Sequence, residues 1–235
     1  MKHGHLITFE GIDFCGKSTQ IGKTESYLKE NNIDLIIARE PGGTSLGEAL
    51  RRLIKEPRET YELLNKSLMN NPEFRLLNVD QDRTAMAEMM MFFASRSEFV
   101  RHVIIKYLDK SISVLADRFK DATRAYQGGG RYKSNPRIIN YINESHNLII
   151  GKYEPSLTFF FDIPYETMIE RAKKDGKKLD YMEGLGKDFF ISTIEEYRKI
   201  AEEDWHRVVS IDGMKSIDNI FNEDIKPRIN RLYCF

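Results

Sequence analysis

The sequence predicts an α/β fold in which a five-stranded parallel sheet is flanked by helices. Two observations lead to this prediction. Short runs rich in β-branched and aromatic residues alternate along the chain with longer stretches of helical periodicity, an order typical of strands and helices around a parallel sheet. The apolar runs are also nearly continuous, as in Leu-Thr-Phe-Phe-Phe at 157–161, which indicates strands that are covered by helices on both faces.

Each element follows from its own stretch of sequence. Apolar runs predict strands at 5–10, 34–40, 113–117, 157–162 and 208–211. Helical periodicity predicts helices at 18–31, 45–54, 83–108, 136–150, 164–174 and 187–204. The stretch 56–82 is rich in Asn and Pro and has weak periodicity, so we expect an irregular or partly helical excursion there. Because no linker divides the chain, we expect residues 1–235 to form a single domain.

Composition excludes several classes of protein. The 36 basic and 36 acidic residues cancel, so a broad cationic face for polymeric nucleic acid is not expected. No apolar run approaches the roughly 20 residues that span a bilayer, and the first residues lack the apolar core of a signal peptide. Two cysteines provide neither a disulfide framework nor a zinc motif. We therefore expect a soluble, cytoplasmic protein without membrane partners.

A phosphate-binding loop follows the first expected strand. It matches G-x-x-x-x-G-K-[ST] over Gly11, Ile12, Asp13, Phe14, Cys15, Gly16, Lys17, Ser18 and Thr19. Its glycines allow successive N–H groups to face one point, Lys17 carries charge to the β- and γ-phosphates, and Ser18 offers a hydroxyl to Mg²⁺. The alternative is a glycine-rich turn with an accidental lysine. The strand before it and the helix after it favour the binding of nucleotide phosphates in a three-layer P-loop NTPase fold. The loop alone does not distinguish among GTPases, motor ATPases and small-molecule kinases.

Charged residues recur where other expected strands end. Arg39 closes the second strand, and Asp117 and Arg118 close the third, at the edge where open α/β sheets bind ligands. Asp117 is placed like the carboxylate that holds Mg²⁺ in P-loop enzymes. Phe92 and Arg96 are four residues apart and share one helix face. Together they offer a stacking ring beside a bidentate donor, or, as the plainer alternative, a core phenylalanine and a solvated surface arginine.

Other nucleotide-binding classes fit less well. A GTPase needs an Asn-Lys-x-Asp guanine reader, and the pair Asn65-Lys66 lacks the aspartate. A P-loop ATPase or switch would leave Arg39 and Arg118 without a second phosphate to bind. A non-catalytic nucleotide-binding module is disfavoured because Lys17, Ser18 and Asp117 are intact.

The motifs together resemble the thymidylate kinase family in order and spacing, over about residues 5–212. The segments that carry this resemblance are 9–13, 16–20, 39–44, 92–96, 117–119 and 125–131. The resemblance implies transfer of the ATP γ-phosphoryl group to dTMP, giving dTDP and ADP with Mg²⁺ as cofactor. It also implies a homodimer and a short lid at about residues 171–184. A kinase of the same fold with another acceptor, such as dUMP, dCMP or a nucleoside, is the alternative.

The resemblance also assigns roles to individual residues of the acceptor site. Arg39 and Arg118 would hold the acceptor phosphate, and Asp13 would contact the sugar or phosphate region. Phe92 would stack on thymine and Arg96 would hydrogen-bond to it. Thr123 and Gln127 would lie near the polar edge of the base, and Tyr126 would lie under the sugar.

The lid carries the strongest cationic run of the chain. The resemblance implies that its cations stabilise charge on the transferring phosphoryl group, and the candidates are Arg171, Lys174, Lys177 and Lys178. A solvated helix end is the alternative interpretation. Three departures from the family pattern stand out: Tyr181 where arginine is usual, Ala122 where serine is common, and a longer stretch at 56–82.

Overall fold

A computed structural model of the chain describes residues 4–68, 83–176 and 180–235. Its strands form one parallel sheet in the order β2-β3-β1-β4-β5. They are β1 (Leu6–Glu10), β2 (Leu35–Arg39), β3 (Ser113–Asp117), β4 (Leu157–Asp162) and β5 (Val208–Asp212). The central strand β1 is buried along its whole length, as a strand covered on both faces must be. The predicted α/β class is confirmed.

Helices connect successive strands and cover the sheet. Before β3 these are α1 (Lys17–Glu30), α2 (Ser45–Lys55), α3 (Pro57–Leu68), α4 (Ala85–Phe99) and α5 (Ile105–Leu108). After it come α6 (Lys120–Thr123), α7 (Pro136–Ile150), α8 (Tyr165–Asp175), α9 (Lys187–Glu203), α10 (Ile217–Asn219) and α11 (Lys226–Tyr233). Three turns with wider, π-helical hydrogen bonding lie between them: π1 (Val100–Ile104), π2 (Arg124–Arg131) and π3 (Ile220–Ile225).

Side-chain caps explain where several helices begin. The hydroxyl of Thr44 accepts the N–H of Gly47 at the start of α2, and that of Thr84 accepts the N–H of Ala87 at the start of α4. Each cap satisfies a donor that has no partner inside the helix. The predicted helix over 83–108 therefore begins two residues later than expected, and it continues through π1 into α5.

The first half of the stretch 56–82 agrees with the partly helical form of the expectation. Pro57–Leu68 is a helix, and its proline stands at the first helical position, where the missing N–H costs nothing. Residues 69–82 lie outside the described residues. Two further helical regions, 120–131 and 217–233, were not predicted. Three consecutive glycines in π2 conceal helical periodicity, because they contribute no side chains to it.

The glycines of π2 let α9 pack directly on its backbone. A Cβ atom at Gly130 would lie 2.4 Å from the ring of Phe189 on α9, so only glycine allows this approach. The largest core cluster among the described residues includes Phe9, Phe159 and Tyr197. A second core, around Leu6 and Phe99, lies under π1 and β3.

Strand register places the site residues at one level of the sheet. Asp117 pairs with Phe9 of β1 on one side and with Arg39 of β2 on the other. Because the strands are parallel, the loops after β1, β2 and β3 all leave from the same edge. Within the described ranges, no helix has both the length and the apolar character needed to cross a membrane.

Candidate active site

The loop between β1 and α1 is shaped by its close approach to β4. Gly11 has a φ of 134°, and a Cβ atom there would lie 2.7 Å from the carbonyl oxygen of Phe161. Gly16 occupies the position that precedes α1, and no side chain caps the helix there. The N-terminal end of a 14-residue helix is thus left to an anion, which the helix dipole and the first N–H groups favour.

Lys17 lies folded against this loop. Its Nζ donates to the carbonyl oxygens of Gly11 at 3.1 Å and Ile12 at 2.8 Å, and the residue is almost fully buried. A buried ammonium group needs such acceptors because burial without them is costly. The loop therefore holds the lysine beside the place where phosphates would enter.

Ser18 and Asp117 line one cavity at the edge of the sheet. The Oδ1 atom of Asp117 is buried and has no hydrogen-bond partner among the residues that the structure describes. A carboxylate oxygen and a hydroxyl are ligands that suit Mg²⁺, which completes its shell with water and substrate phosphates. These two side chains therefore fit the cofactor expected from the sequence.

A separate pocket lies between the loop, α2, α4 and π2. It brings together six of the residues singled out in the sequence: Asp13, Phe92, Arg96, Arg118, Tyr126 and Gln127. It also contains residues that sequence reasoning missed, namely Glu40, Arg51, Lys55, Asp180 and Met182. Residues that are distant in sequence thus form one concave surface beside the phosphate loop.

One end of the pocket is built around Arg118. Its Nη2 donates to the hydroxyl of Tyr126 at 2.8 Å and lies 3.2 Å from Oδ1 of Asp13. Although burial alone would have the opposite effect, the charges of Arg118, Lys17 and Lys55 hold the pKa of the Asp13 carboxyl below its usual value. The Nε atom of Arg118 is buried and has no partner in the described part of the chain. One guanidinium donor is therefore left for a ligand.

Arg51 enters the same pocket from α2. It lies one turn from Gly47 and three residues before Ile54, both of which are buried, so it belongs to the inner face of that helix. Burial, together with the positive charges of Arg39 and Arg118, lowers the pKa of Arg51. Three guanidinium groups thus repel one another here, and a bound dianion would relieve this repulsion.

Arg39 lies outside this pocket. Its Nη2 is 3.1 Å from Oε2 of Glu48, its side chain is 55% exposed, and it lines the neighbouring cavity with Ser18 and Asp117. From the sequence, Arg39 is expected to hold the acceptor phosphate. In the structure its side chain lines the neighbouring cavity, whereas Arg51 of α2 lines the pocket itself. Helix periodicity within 45–54 was the sequence signal that would have found Arg51.

Arg96 is a buried hub. Its guanidinium donates to the carboxylate of Glu40 (Nε to Oε2, 3.0 Å), the hydroxyl of Thr123 (2.8 Å) and the carbonyl of Phe119 (2.9 Å). Its Nη1 also lies 2.7 Å from Nε2 of His146. Only 1% of Arg96 is exposed, so the alternative of a solvated surface arginine is wrong. Thr123 lies behind this hub, outside the set of residues that line the pocket.

Phe92 and Gln127 form the opposite wall of the pocket. Phe92 is half-buried, with its ring at the pocket surface and packed on the main core. Gln127 is fully buried, and its Nε2 donates to Oε1 of Glu88 at 3.3 Å. Its Oε1 atom has no partner within the described residues. This wall therefore combines an aromatic surface with an available hydrogen-bond acceptor.

The residues expected to form a lid fall into two described parts, 171–176 and 180–184, with different contacts. Arg171, on α8, donates to the carbonyl oxygens of Phe14 at 3.2 Å and Gly213 at 2.9 Å, which places it beside the phosphate loop. Lys174 is exposed near the end of the same helix. The other two lid cations of the sequence analysis, Lys177 and Lys178, lie outside the described residues.

The second of these parts, 180–184, contributes Asp180 and Met182 to the lining of the pocket. Asp180 forms an ion pair with Lys55, and the N–H of Tyr181 donates to the carbonyl of Lys55 at 3.2 Å. The ring of Tyr181 lies under the guanidinium of Arg83, 4.3 Å from its centre. Tyr181 therefore occupies the acceptor side of the molecule as a cation–π partner.

Known proteins resemble this chain over nearly its whole length. The family model for thymidylate kinase matches residues 9–70 and 74–223. The chain belongs to the thymidylate kinase family. The thymidylate kinases of Kosmotoga olearia and Fervidobacterium nodosum are each 36% identical to it over 221 residues, which is 94% of this chain and 93% and 96% of theirs.

The fold of this thymidylate kinase family member is likewise shared with a solved relative. The crystal structure of thymidylate kinase from Ehrlichia chaffeensis matches with a TM-score of 0.66 and 28% identity, covering 97% of this chain and 99% of that one. The predicted family and the three-layer P-loop fold are confirmed. Members of this family are kinases, and this chain is therefore a phosphotransferase.

Proposed function

We propose that this protein transfers the γ-phosphoryl group of ATP to the 5′-phosphate of dTMP, giving dTDP and ADP. The observation that carries the proposal is a pair of unpartnered buried atoms among the described residues of one pocket: a donor, Nε of Arg118, and an acceptor, Oε1 of Gln127. A nucleotide with an anionic end and a base that offers an N–H group complements both. Thymine has such a group at N3.

The residues of the acceptor pocket divide between the two ends of dTMP. Arg118 and Arg51 hold the 5′-phosphate, with Arg39 adding charge from the neighbouring cavity. Phe92 stacks on thymine, Gln127 accepts from N3–H, and Arg96 faces the base with Thr123 supporting it from behind. Tyr126, held by Arg118 and Asp13, lies under the sugar, where it leaves no room for a 2′-hydroxyl.

Catalysis follows from position and charge. The attacking group is an oxygen of the acceptor phosphate, which is already ionised, so no strong general base is required. Lys17 moves from the loop carbonyls to the β- and γ-phosphates, and the residues of 11–19 bind the ATP phosphates through their N–H groups. Mg²⁺ held by Ser18 and Asp117 would neutralise phosphate charge.

Cations of the lid act on the transferring group. Arg171 is supported in this role by its contact with Phe14 of the phosphate loop, and Lys174, Lys177 and Lys178 supply further charge. The proposal also includes a lid at about 171–184 within a single domain of residues 1–235. A homodimeric assembly and a cytoplasmic location belong to the same proposal.

An ADP-release assay tests this function. Purified protein with Mg·ATP is given dTMP, dUMP, dCMP, the ribonucleotide TMP and AMP in turn, and kcat/KM is measured for each. We expect dTMP to be the best acceptor and dUMP to follow within about 10–200-fold, because a single methyl group supplies little discrimination. A higher kcat/KM for dCMP or AMP would overturn the proposal and favour the alternative of another acceptor.

A further inference from the structure

Glu88 is a buried carboxylate that the proposed chemistry does not use. It lies on α4, and its side chain is 1% exposed. Its Oε1 accepts from Nε of Arg131 at 3.0 Å and from Nε2 of Gln127 at 3.3 Å. Its Oε2 accepts from Nε of Arg83 at 2.9 Å and from Nη2 of Arg131 at 2.7 Å. Every one of these contacts brings a donor to the carboxylate.

The two arginines keep Glu88 ionised. Although burial opposes the effect, hydrogen bonds and charge from Arg131 and Arg83 lower the pKa of the Glu88 carboxyl. An ionised carboxylate accepts hydrogen bonds and donates none. The group of Gln127 that faces Glu88 must therefore be the amide NH₂. If the amide were turned round, its carbonyl oxygen would face the carboxylate oxygen, and two acceptors would repel each other.

This constraint fixes what Gln127 shows to the pocket. Gln127 lines the pocket, and with its NH₂ directed at Glu88 the polar atom on the other branch of the amide is Oε1, which is buried and unpartnered among the described residues. A buried acceptor atom favours binding of a ligand that places an N–H group against it. A ligand that places an acceptor there binds more weakly, because both atoms are then left without a hydrogen bond. Thymine and uracil carry N–H at N3, whereas cytosine carries a lone pair there.

We propose that Glu88 is a specificity-determining positioning residue, which selects bases with an N3–H group by locking the amide orientation of Gln127. The proposal rests on the proposed function of the pocket as the dTMP site. Arg83 and Arg131 act one step further away, as the counterions that keep Glu88 a pure acceptor. Tyr181 contributes to the same arrangement around Glu88, since Arg83 and Arg131 both lie over its ring.

The substitution Glu88→Gln tests this idea, because a glutamine at 88 can donate as well as accept. The amide of Gln127 is then free to turn and present NH₂ to the pocket. We expect the ratio of kcat/KM for dTMP to that for dCMP to fall about tenfold or more. The affinity for ATP, measured separately, is expected to stay unchanged. Glu98→Gln, a nearly isosteric change on the same helix, is the matched control and should keep the wild-type ratio.

A double substitution separates positioning from general damage. Gln127→Leu removes the acceptor and leaves Glu88 intact, so it should lower the dTMP:dCMP ratio by itself. If Glu88 acts through Gln127, the pair Glu88→Gln with Gln127→Leu should show the same ratio as Gln127→Leu alone. A further fall in the pair, or a wild-type ratio in Glu88→Gln, would overturn the proposal.

Two other results are decisive. Should Glu88→Gln fail to fold, as judged by thermal melting, Gln127→Leu still has to lose the preference for dTMP, and a retained preference refutes the inference. If the wild-type enzyme itself prefers dCMP, the proposed function fails, whereas a wild-type preference for dTMP that survives Glu88→Gln defeats only the role of Glu88.

Discussion

The acceptor pocket and the phosphate loop of this kinase are built on different principles. In the acceptor pocket, the side chains hold one another: Arg96 is bound by Glu40, Thr123 and Phe119. In the phosphate loop, backbone groups and a folded-back Lys17 surround an open helix end. The first region is therefore formed before its ligand arrives, and the second is completed by the phosphates. Base selection calls for the rigid arrangement, while phosphoryl transfer calls for charges that can follow the substrate.

The largest effect is expected where the rigid region is broken. Arg96→Leu leaves the Glu40 carboxyl buried without its counterion, and loss of one partner of a buried pair costs about 3–5 kcal/mol. Urea denaturation should show this loss in the free energy of unfolding. Arg101→Leu, at an exposed position of π1, is the control and should change stability by less than about 0.5 kcal/mol. Equal midpoints for the two variants would contradict the role of Arg96 as a hub.

A change in the adaptable region should affect chemistry and leave acceptor binding intact. Lys17→Ala removes the charge that reaches the transferring phosphate, and loss of one such group lowers kcat by about 10²–10³-fold. The Kd for dTMP should stay within about threefold of the wild type, because Lys17 is not among the residues that line the acceptor pocket. Lys23→Ala serves as the control. Lys23 lies on the same helix as Lys17 and forms an exposed ion pair with Asp218 of α10. Weakened dTMP binding in Lys17→Ala would mean that the two regions are not independent.

The pair Arg51 and Arg39 tests where the acceptor pocket ends. Arg51→Ala removes a charged donor within the pocket and should raise KM for dTMP by about 10–100-fold, since a hydrogen bond to a charged group contributes about 1.5–3 kcal/mol. Arg39→Ala should change the same KM less than about threefold, because that side chain is exposed and pairs with Glu48. The adjacent Arg52→Ala controls for loss of a surface cation from α2. The reverse order of effects would restore Arg39 as the principal phosphate ligand.

Glu10 ends β1 directly before the phosphate loop, and its carboxylate accepts hydrogen bonds from the N–H of Phe119 at 2.7 Å and the hydroxyl of Tyr197 at 2.8 Å. Burial, with the Asp121 charge, raises the pKa of Glu10 to about 7. The folded state therefore keeps a proton that the unfolded chain has already lost, so this group's contribution to stability is full below about pH 4.5 and disappears as the pH rises through about 7.

Replacing Glu10 with a group that cannot ionise removes this dependence. The stability of Glu10→Gln relative to the wild type should rise with pH between about 4.5 and 7 and then level off, by on the order of 3 kcal/mol. Urea denaturation at a series of pH values measures it. A difference that is flat across this interval would show that Glu10 does not titrate near neutrality.

The two regions also differ in how well the sequence predicts them. The phosphate loop is local: nine consecutive residues and the flanking strand and helix define it, so the motif was sufficient. The strands could be predicted equally well from the sequence, because the continuous apolar runs of β1 and β4 are stable only in a sheet that is covered on both faces. Boundaries moved by one or two residues where caps such as Thr84 decide the helix start.

The acceptor pocket was predicted less completely because its contacts span the chain. Glu88 joins Arg83 and Gln127 to Arg131, which is 43 residues away, and no spacing in the sequence indicates this meeting. Arg96 was placed on the correct helix face, but its burial depends on Glu40, which lies 56 residues earlier. Arg51 was not singled out, because its place in the pocket depends on how α2 packs in the tertiary structure.

Calorimetric titration of dTMP into the enzyme alone tests most directly whether the acceptor pocket is formed in advance. The Kd should be within about threefold of the value measured in the presence of Mg²⁺ and a non-hydrolysable ATP analogue, because the described contacts of Arg118, Phe92 and Gln127 need no donor nucleotide. Binding that is undetectable until the analogue is added would contradict a preformed pocket and make acceptor recognition a consequence of donor binding.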